Sequence, residues 1–209
     1  MTIMDAILEH PPFRLDLGCG PRKREGFYGI DAMKFDGVDA VCDLSQERWV
    51  IAREDDLISK NMPLFATGNG DEVGEAYSFL DNSVDEAHAS HFVEHLTGAQ
   101  RVLFFNELYR VMKPGAQALI ITPNWSHACA YGDPTHQWPP MSEWYQLYLN
   151  KAWRDVNGPH TQYTCDFDWG SGGSWDPWLE SKNLDFKLFA MSRYINSQRD
   201  LHVTLTKRR

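Results

Sequence analysis

The sequence predicts an α/β fold, in which a mostly parallel sheet has helices on both faces and ends in a C-terminal antiparallel hairpin. Short apolar runs that stop at glycines or carboxylates indicate buried strands, and a helix-periodic segment lies between two of them. Strands that alternate with helices pack as a parallel sheet that is covered on its faces. At 209 residues, the chain is long enough for one domain with a full core. We therefore expect a single domain over residues 1–209.

Seven segments are expected to be strands, and five of them belong to the parallel part of the sheet. These five are residues 13–17, 27–31, 38–43, 84–90 and 118–122. The other two, residues 186–194 and 201–207, are joined by a short polar stretch and predict the closing hairpin. Between the fourth and fifth strands, Thr97 is a suitable N-cap, and apolar residues recur after it at helical spacing.

The link between the first two strands is short for a parallel crossover. Residues 18–27 alone join them, which is near the minimum for such a connection. The first helix is therefore expected to be short or nearly absent, and Pro21 suits the first position of whatever helix remains.

Two further segments fit no repeating strand–helix unit. Residues 51–77 are polar and contain glycines, which is typical of an excursion or a partly mobile loop. Residues 123–183 form a long segment that holds seven of the eight tryptophans. Because this second segment follows a strand directly, it begins at the carboxyl edge of the sheet. We expect it to fold over that edge as a lid.

Composition and charge argue against several classes of protein. The 20 basic and 29 acidic side chains give a net charge of −9, whereas nucleic-acid binding needs a basic surface. No apolar run approaches the ~20 residues that span a membrane, and the start of the chain lacks the basic region and apolar core of a signal peptide. The 4 cysteines form no C-x-x-C pair, which is typical of reduced thiols. We therefore expect a cytoplasmic protein with no membrane contact.

The strongest local signal is the run Leu-Asp-Leu-Gly-Cys-Gly at residues 15–20. Glycines at the end of a first strand let the backbone approach a ligand closely. A dinucleotide site would have a third glycine where Lys23 stands, and its acidic residue would follow ~20 positions after the glycines. Asp31 instead follows Gly20 by only eleven residues. Asp16, inside the strand, suits a positively charged ligand group better than a pyrophosphate.

In their order and spacing, several short motifs resemble those of class I S-adenosylmethionine-dependent methyltransferases. The motifs are residues 15–20, 29–31, 43–44, 81–85, 91–95 and 108–115. The resemblance extends from about Arg14 to Asn124 and implies a Rossmann-like, seven-stranded, mostly parallel sheet with S-adenosylmethionine as cofactor. More narrowly, the chain is similar to type 11 methyltransferases, within a bacterial and phage-like subset that has a short first crossover.

The same resemblance implies which residues contact the methionine part of the cofactor. This part would lie against the glycine turn, formed by Gly18, Cys19 and Gly20. Asp16 would lie near the ammonium group. Ser90 and His91, at the end of the fourth strand, would lie beside the sulfonium.

The nucleoside part has its own implied contacts. Asp31 would accept hydrogen bonds from the two ribose hydroxyls, and Ala32 would pack on the adenine. Asp43 and Leu44 would flank the edge of the adenine, where the carboxylate would accept from the amino group.

A second motif, His91-Phe-Val-Glu-His95, matches H-x-x-E-H, an inverted zinc-protease signature. A zinc site would need a third ligand, for which the candidates are His88, His127, His136 and His160. The motif directly follows a strand, however, and lies where the methyltransferase family has a similar histidine-rich stretch. We therefore expect no metal.

The expected lid carries a candidate base at residues 131–136, Tyr-Gly-Asp-Pro-Thr-His. An oxygen acceptor must lose a proton during attack, and a histidine is suited to take it. We expect His136 to be this base, with Asp133 as the residue that orients it. The segment also resembles an Asp-Pro-Thr-His stretch in related bacterial and phage methyltransferase-like proteins. In the alternative, the stretch is a turn in which His136 only braces the lid.

Together, these observations predict a methyltransferase that transfers a methyl group in line to a small polar or glycan-type acceptor. The acidic charge and the aromatic lid favour such an acceptor over nucleic acid. Two alternatives stay open: a non-catalytic protein that keeps the fold for binding, and a nucleotide-sugar or NAD enzyme on a similar sheet. The intact glycines and carboxylates argue against the first, and the spacing from Gly20 to Asp31 argues against the second.

Overall fold

The computed structural model describes residues 12–52, 64–66 and 76–209. The strands are β1 (Arg14–Leu17), β2 (Tyr28–Asp31), β3 (Ala40–Val41), β4 (Val50–Ala52), β5 (Leu64–Ala66), β6 (Ala76–Phe79), β7 (Val84–Ser90), β8 (Met112–Pro123), β9 (Phe167–Trp175) and β10 (Gln198–Lys207). The α-helices are α1 (Gly98–Val111), α2 (Cys129–Gly132), α3 (Lys151–Asn157) and α4 (Leu184–Met191). Among the described helices, none is long and apolar enough to cross a membrane.

One sheet of seven strands has the spatial order β3-β2-β1-β7-β8-β10-β9. The first five of these strands pair in parallel, and β10 runs antiparallel to both β8 and β9. The predicted seven-stranded, mostly parallel sheet with a C-terminal antiparallel pair is therefore confirmed. The chain moves from β1 toward β3 on one side and toward β8 on the other. The carboxyl ends of β1 and β7 are thus a topological switch point, where open α/β sheets bind their ligands.

The central strands are buried on both faces, as expected for a parallel sheet. Leu15 and Leu17 of β1 are fully buried on one face, and Asp16 is 3% exposed on the other. In β7, Ala87 and Ala89 are buried within 1% on one face, and His88 between them is half-buried.

The predicted helix after β7 is present as α1, and its start is the one expected. The Thr97 hydroxyl accepts a hydrogen bond from the backbone N–H of Gln100, whose side chain accepts from the backbone N–H of Thr97. This reciprocal pair satisfies two N–H groups that the first turn would otherwise leave unpaired. Phe104 and Leu108 are fully buried on the inner face of the helix.

The first crossover contains no helix. Residues 18–27, all of them described, form only turns and extended chain between β1 and β2. The expectation of a short or nearly absent helix is met, because the connection is too short to hold one.

One predicted strand is wrong. Residues 186–194 lie largely in α4, and the true partner of β10 is β9. The side chain of Asn183 caps α4 by accepting from the backbone N–H of Phe186, at 2.9 Å. A short apolar run does not distinguish a strand from a helix, and an N-cap three residues earlier decides here for the helix.

Strand β9 was not predicted from the sequence because it contains three glycines. Glycine is poor in strands, yet a Cβ at Gly173 would lie 2.0 Å from Nε2 of Gln198 and 2.3 Å from the carbonyl oxygen of Asp200. The neighbouring strand approaches so closely that only glycine fits. Because β9 falls within residues 123–183, that segment contributes a strand to the sheet as well as the loops proposed as a lid.

The excursion predicted for residues 51–77 lies partly outside the described residues, at 53–63 and 67–75. Its described parts, residues 51–52 of β4, all of β5 and the first two residues of β6, belong to a second, three-stranded antiparallel sheet in the order β4-β6-β5.

Candidate active site

The glycine turn lies at the carboxyl end of β1 and has two unlike sides. Gly18 and Gly20 both have positive φ, 68° and 52°, and the backbone N–H groups of Gly18 and Cys19 donate to the carbonyl of Ile30. A Cβ on Gly18 would lie 2.3 Å from Cγ of Phe92, whereas a Cβ on Gly20 would meet nothing within 4 Å. The turn is therefore packed on Phe92 at one side and presents open backbone at the other.

Asp16 lies buried beneath this turn, with 3% of its surface exposed. Its Oδ2 accepts from the backbone N–H of Arg24 at 2.7 Å, and its Oδ1 lies 2.7 Å from Nδ1 of His88. These contacts tie β1 to the crossover on one side and to β7 on the other. The contact of Asp16 with a ligand ammonium group stays a prediction.

The negative charges around the turn influence Cys19. Burial, together with the carboxylates of Asp16 and Asp31, raises the pKa of the Cys19 thiol to about 12. The two carboxylates beside the turn suit a cationic ligand group better than a pyrophosphate.

Asp31 ends β2 beside the turn, in a fixed orientation. Its Oδ2 accepts from the backbone N–H of Gly20 and its Oδ1 from that of Met33, both at 2.9 Å. Each carboxylate oxygen keeps a second lone pair, so the group can still accept from a ligand. Ala32, the next residue, is exposed beside it.

The two residues predicted at the adenine edge differ in their environment. Asp43 is exposed; burial opposes its ionisation, but hydrogen bonds from Ser45 and Gln46 outweigh that effect and lower its pKa. Leu44 is only 2% exposed and packs in the hydrophobic core. The carbonyl of Leu44 accepts from the indole N–H of Trp49 at 3.1 Å, and a contact of Leu44 with the adenine stays a prediction.

A cleft of about 470 Å³ opens at the carboxyl edge of the parallel strands. It is lined by His91, Glu94, His95, Pro123, Cys129, Asp133, His136, Ser174, Trp175, Pro177, Glu180, Arg199 and Asp200. The described lining includes His91 and His136 but not the glycine turn. Phe92, which follows His91 and packs against Gly18, connects the two regions.

His91 follows Ser90 at the carboxyl end of β7 and has an unusual backbone conformation. Its φ is 53°, and its backbone N–H donates to the carbonyl of Ile121. The carboxylate of Glu94, 3.3 Å from Nδ1, raises the pKa of His91 against the effect of burial, and Asp200 adds to the rise. A positive φ at a non-glycine residue costs energy and is common at functional sites.

The structure places His136 in the cleft, but Asp133 does not bind its ring. Nδ1 of His136 lies 3.1 Å from the carbonyl oxygen of Ala130, which orients the ring instead. Oδ1 of Asp133 accepts from the backbone N–H and the hydroxyl of Thr135, and these bonds lower the pKa of Asp133. The Asp-Pro-Thr turn directs this carboxylate to Thr135, and a role of Asp133 in orienting His136 stays a prediction.

Several residues of the cleft had little or no signal in the sequence. Glu94 and His95 were visible only within the H-x-x-E-H motif, which would bring its two histidines together if it were helical. In the structure, Val93–His95 is a short 3-10 turn, so His91 and His95 do not share a helical face. Asp200, at the far end of the chain, reaches the cleft because β10 begins at this edge of the sheet.

Comparison with known proteins identifies the family. Residues 15–120, slightly more than half of the chain, match the family described as a methyltransferase domain. The chain belongs to this methyltransferase family, which confirms the resemblance seen in the motifs. No curated protein sequence matches the chain.

Solved structures share the fold over nearly the whole chain. A SAM-dependent methyltransferase from Archaeoglobus fulgidus is 18% identical, with a TM-score of 0.57, over 98% of this chain and 90% of that one. A SAM-dependent methyltransferase from Methanosarcina mazei is 15% identical, with a TM-score of 0.51, over 100% and 98%. At these identities, the likeness shows the methyltransferase fold.

Proposed function

We propose that the protein is an S-adenosylmethionine-dependent methyltransferase that acts on a small polar or glycan-type acceptor. The observation that carries this proposal is the pairing of the open backbone at Gly20 with the fixed carboxylate of Asp31. Both lie at the switch point of a methyltransferase fold. The separate cleft beyond β7 and β8 gives the acceptor its own place.

The residues present fit this cofactor. Gly20 leaves the backbone accessible, because no atom occupies the space that a Cβ would fill. Asp31 keeps lone pairs for the ribose hydroxyls, and the carboxylates of Asp16 and Asp31 beside the turn suit a ligand with a cationic ammonium and sulfonium. When bound, the cofactor supplies a methyl group on a positively charged sulfur.

The lining of the cleft favours a polar acceptor. Glu180 and Asp200 offer carboxylates, Arg199 a guanidinium and Trp175 an aromatic surface. Groups of this kind orient a hydroxyl-bearing molecule by hydrogen bonds, while an aromatic wall covers its apolar face. An acidic pocket also disfavours the phosphate backbone of a nucleic acid.

Within the cleft, His136 is the proposed proton acceptor. The carbonyl of Ala130 fixes the proton on Nδ1 and leaves the lone pair of Nε2 free. That nitrogen takes the hydroxyl proton as the acceptor oxygen bonds to the methyl carbon and the electron pair of the breaking bond passes to sulfur.

The cofactor site is tested by substitution of Asp31. Asp31→Ala removes charge-assisted hydrogen bonds of ~1.5–3 kcal/mol, so it should weaken binding of S-adenosylhomocysteine at least ~10-fold in calorimetry. Asp36→Ala, which removes an exposed carboxylate in the following turn, is the matched control and should bind normally. Equal affinities in the two variants would show that the ribose is held elsewhere.

The base is tested once an acceptor is found by screening for transfer of a labelled methyl group. His136→Ala should lower turnover ~100-fold or more with nearly unchanged cofactor affinity. Wild-type turnover in this variant would leave His136 as a brace of the lid.

A further inference from the structure

We infer that Glu94, His95 and His136 form a binding site for a divalent transition-metal ion of the zinc type. One ligand atom from each residue lies within 4.8 Å of the other two. All three residues line the cleft beyond β7 and β8. The inference replaces the expectation of a metal-free protein, because the fold supplies the third ligand that the H-x-x-E-H motif lacked.

The carboxylate of Glu94 is the first argument for an ion. Glu94 is only 4% exposed, and neither of its carboxylate oxygens has a hydrogen-bond partner among the described residues. Nδ1 of His91 lies 3.3 Å from Oε1 as an ion-pair contact outside hydrogen-bond geometry, so Oε2 is the oxygen with neither an ion-pair nor a hydrogen-bond partner among the described residues. A buried carboxylate is costly unless it is paired or coordinates a metal.

The hydrogen bonds of the two histidines are the second argument. The hydroxyl of Thr135 donates its proton to Asp133, so it accepts from Nδ1 of His95, at 2.9 Å. Nδ1 of His136 can only donate to the carbonyl of Ala130, at 3.1 Å. Both rings therefore carry their proton on Nδ1 and present a free lone pair on Nε2. Metal-binding histidines are typically held in this way, with the other ring nitrogen donating to an oxygen.

A buried arginine keeps the two ligand-bearing segments together. The guanidinium of Arg101, on α1, donates to the carbonyls of Val93, Gln137 and Pro139. These bonds join the turn that carries Glu94 to the loop that carries His136. The ligands are thus positioned by a rigid scaffold before an ion arrives, which favours binding.

Two imidazoles and one carboxylate are the donor set of catalytic zinc sites that keep a fourth position open. In this protein the open position would lie on the cleft side. A metal ion lowers the pKa of a bound hydroxyl, so an acceptor hydroxyl coordinated there would lose its proton to water in the cleft. With the ion bound, Nε2 of His136 would be a metal ligand in place of the base role proposed for it above. This step, which makes the acceptor atom an oxygen, rests on the proposed function; the metal site itself does not.

The site is tested by metal binding to the full chain without a polyhistidine tag, after treatment with a chelator. Calorimetry with zinc chloride should show one Zn²⁺ per chain. Co²⁺ bound at the same site should give the visible absorption of a four-coordinate ion. Glu94→Gln, His95→Ala and His136→Ala should each weaken zinc binding by ~100-fold or more, since even outer-shell substitutions cost ~10–100-fold. His160→Ala, which removes an exposed histidine outside the cleft, should bind as the wild type does.

Circular dichroism and melting curves establish that the variants fold, and Glu94→Gln keeps the size of the side chain. No zinc and no cobalt bound by the wild type would overturn the inference, as would stoichiometric zinc retained by all three folded variants. Binding of S-adenosylhomocysteine, measured on the same metal-free samples, separates the two proposals. If the protein binds S-adenosylhomocysteine but no zinc, the metal site alone is refuted. If the protein binds zinc but no S-adenosylhomocysteine, the proposed function alone is refuted.

Discussion

The two glycines of the turn after β1 should respond differently to substitution by alanine. Both have positive φ, so alanine costs ~1–2 kcal/mol of backbone strain at either position. Only at Gly18 does the new Cβ meet a neighbour, 2.3 Å from Cγ of Phe92. Relief of that overlap requires the ring or the turn to move, at a further cost of ~1–3 kcal/mol. We expect Gly18→Ala to lower the free energy of unfolding by ~2–5 kcal/mol, and Gly20→Ala by only ~1–2 kcal/mol.

Urea unfolding followed by tryptophan fluorescence measures both effects. For a chain of this size, each kcal/mol also lowers the melting temperature by ~2–4 °C. A double-mutant cycle with Phe92→Ala isolates the steric part, because removal of the ring should recover ~1–3 kcal/mol of the loss at Gly18 but none at Gly20. Equal destabilisation by the two alanines, together with no coupling between Gly18 and Phe92, would refute the argument that the turn is packed on this ring.

Two further predictions concern the stability of the scaffold. Thr97→Ala removes the N-cap of α1 and should lower the free energy of unfolding, measured in urea, by ~1 kcal/mol. Thr97→Ser keeps a capping hydroxyl and should retain most of this stabilisation. Equal losses in the two variants would show that the cap contributes little. Burial raises the pKa of Tyr145 to about 12 and also raises that of Tyr163, whose hydroxyl it contacts. The unfolded chain loses these protons near pH ~10, so stability is complete below that pH and falls as the pH rises toward about 12. The free energy of unfolding of the double variant Tyr145→Phe/Tyr163→Phe should therefore fall less steeply with pH over this range than that of the wild type. Tyr131→Phe, which changes an exposed tyrosine, is the control and should behave as the wild type does. The same slope in the double variant and the wild type would contradict the reasoning.

The parallel strands could be predicted because their burial leaves a direct trace in the sequence. Leu15 and Leu17 are buried on one face of β1 and Asp16 on the other, and the run stops where the backbone turns at Gly18. The start of α1 was equally visible, since Thr97 and Gln100 have the chemistry of a capping box.

The antiparallel pair was predicted, but the strand that pairs with β10 was assigned to the wrong segment. The glycines of β9 resemble a turn unless the close approach of Gln198 to Gly173 is known. Residues 186–194 contain enough apolar side chains for a buried strand, and only the cap at Asn183 distinguishes them as a helix. A tertiary contact decided β9 against its propensity, whereas a local cap decided α4.

At the site, residues at the ends of strands were predictable and residues in the loops were not. Asp31 lies beside the glycine turn because it ends the neighbouring strand, a position that the run of strands implies. The hydrogen-bond partner of His136 is instead the carbonyl of Ala130. No sequence pattern predicts that a backbone carbonyl will accept from this ring. The meeting of Glu94 with His136 depends likewise on how one loop folds over another.

The central claim, that this fold binds S-adenosylmethionine rather than a dinucleotide, is tested most directly by calorimetry of the wild-type protein. S-adenosylhomocysteine and NAD are titrated separately into the same preparation. We expect the protein to bind one S-adenosylhomocysteine per chain with a dissociation constant in the micromolar range or lower, and to give no heat of binding with NAD. Tight binding of NAD, with no response to S-adenosylhomocysteine, would contradict it.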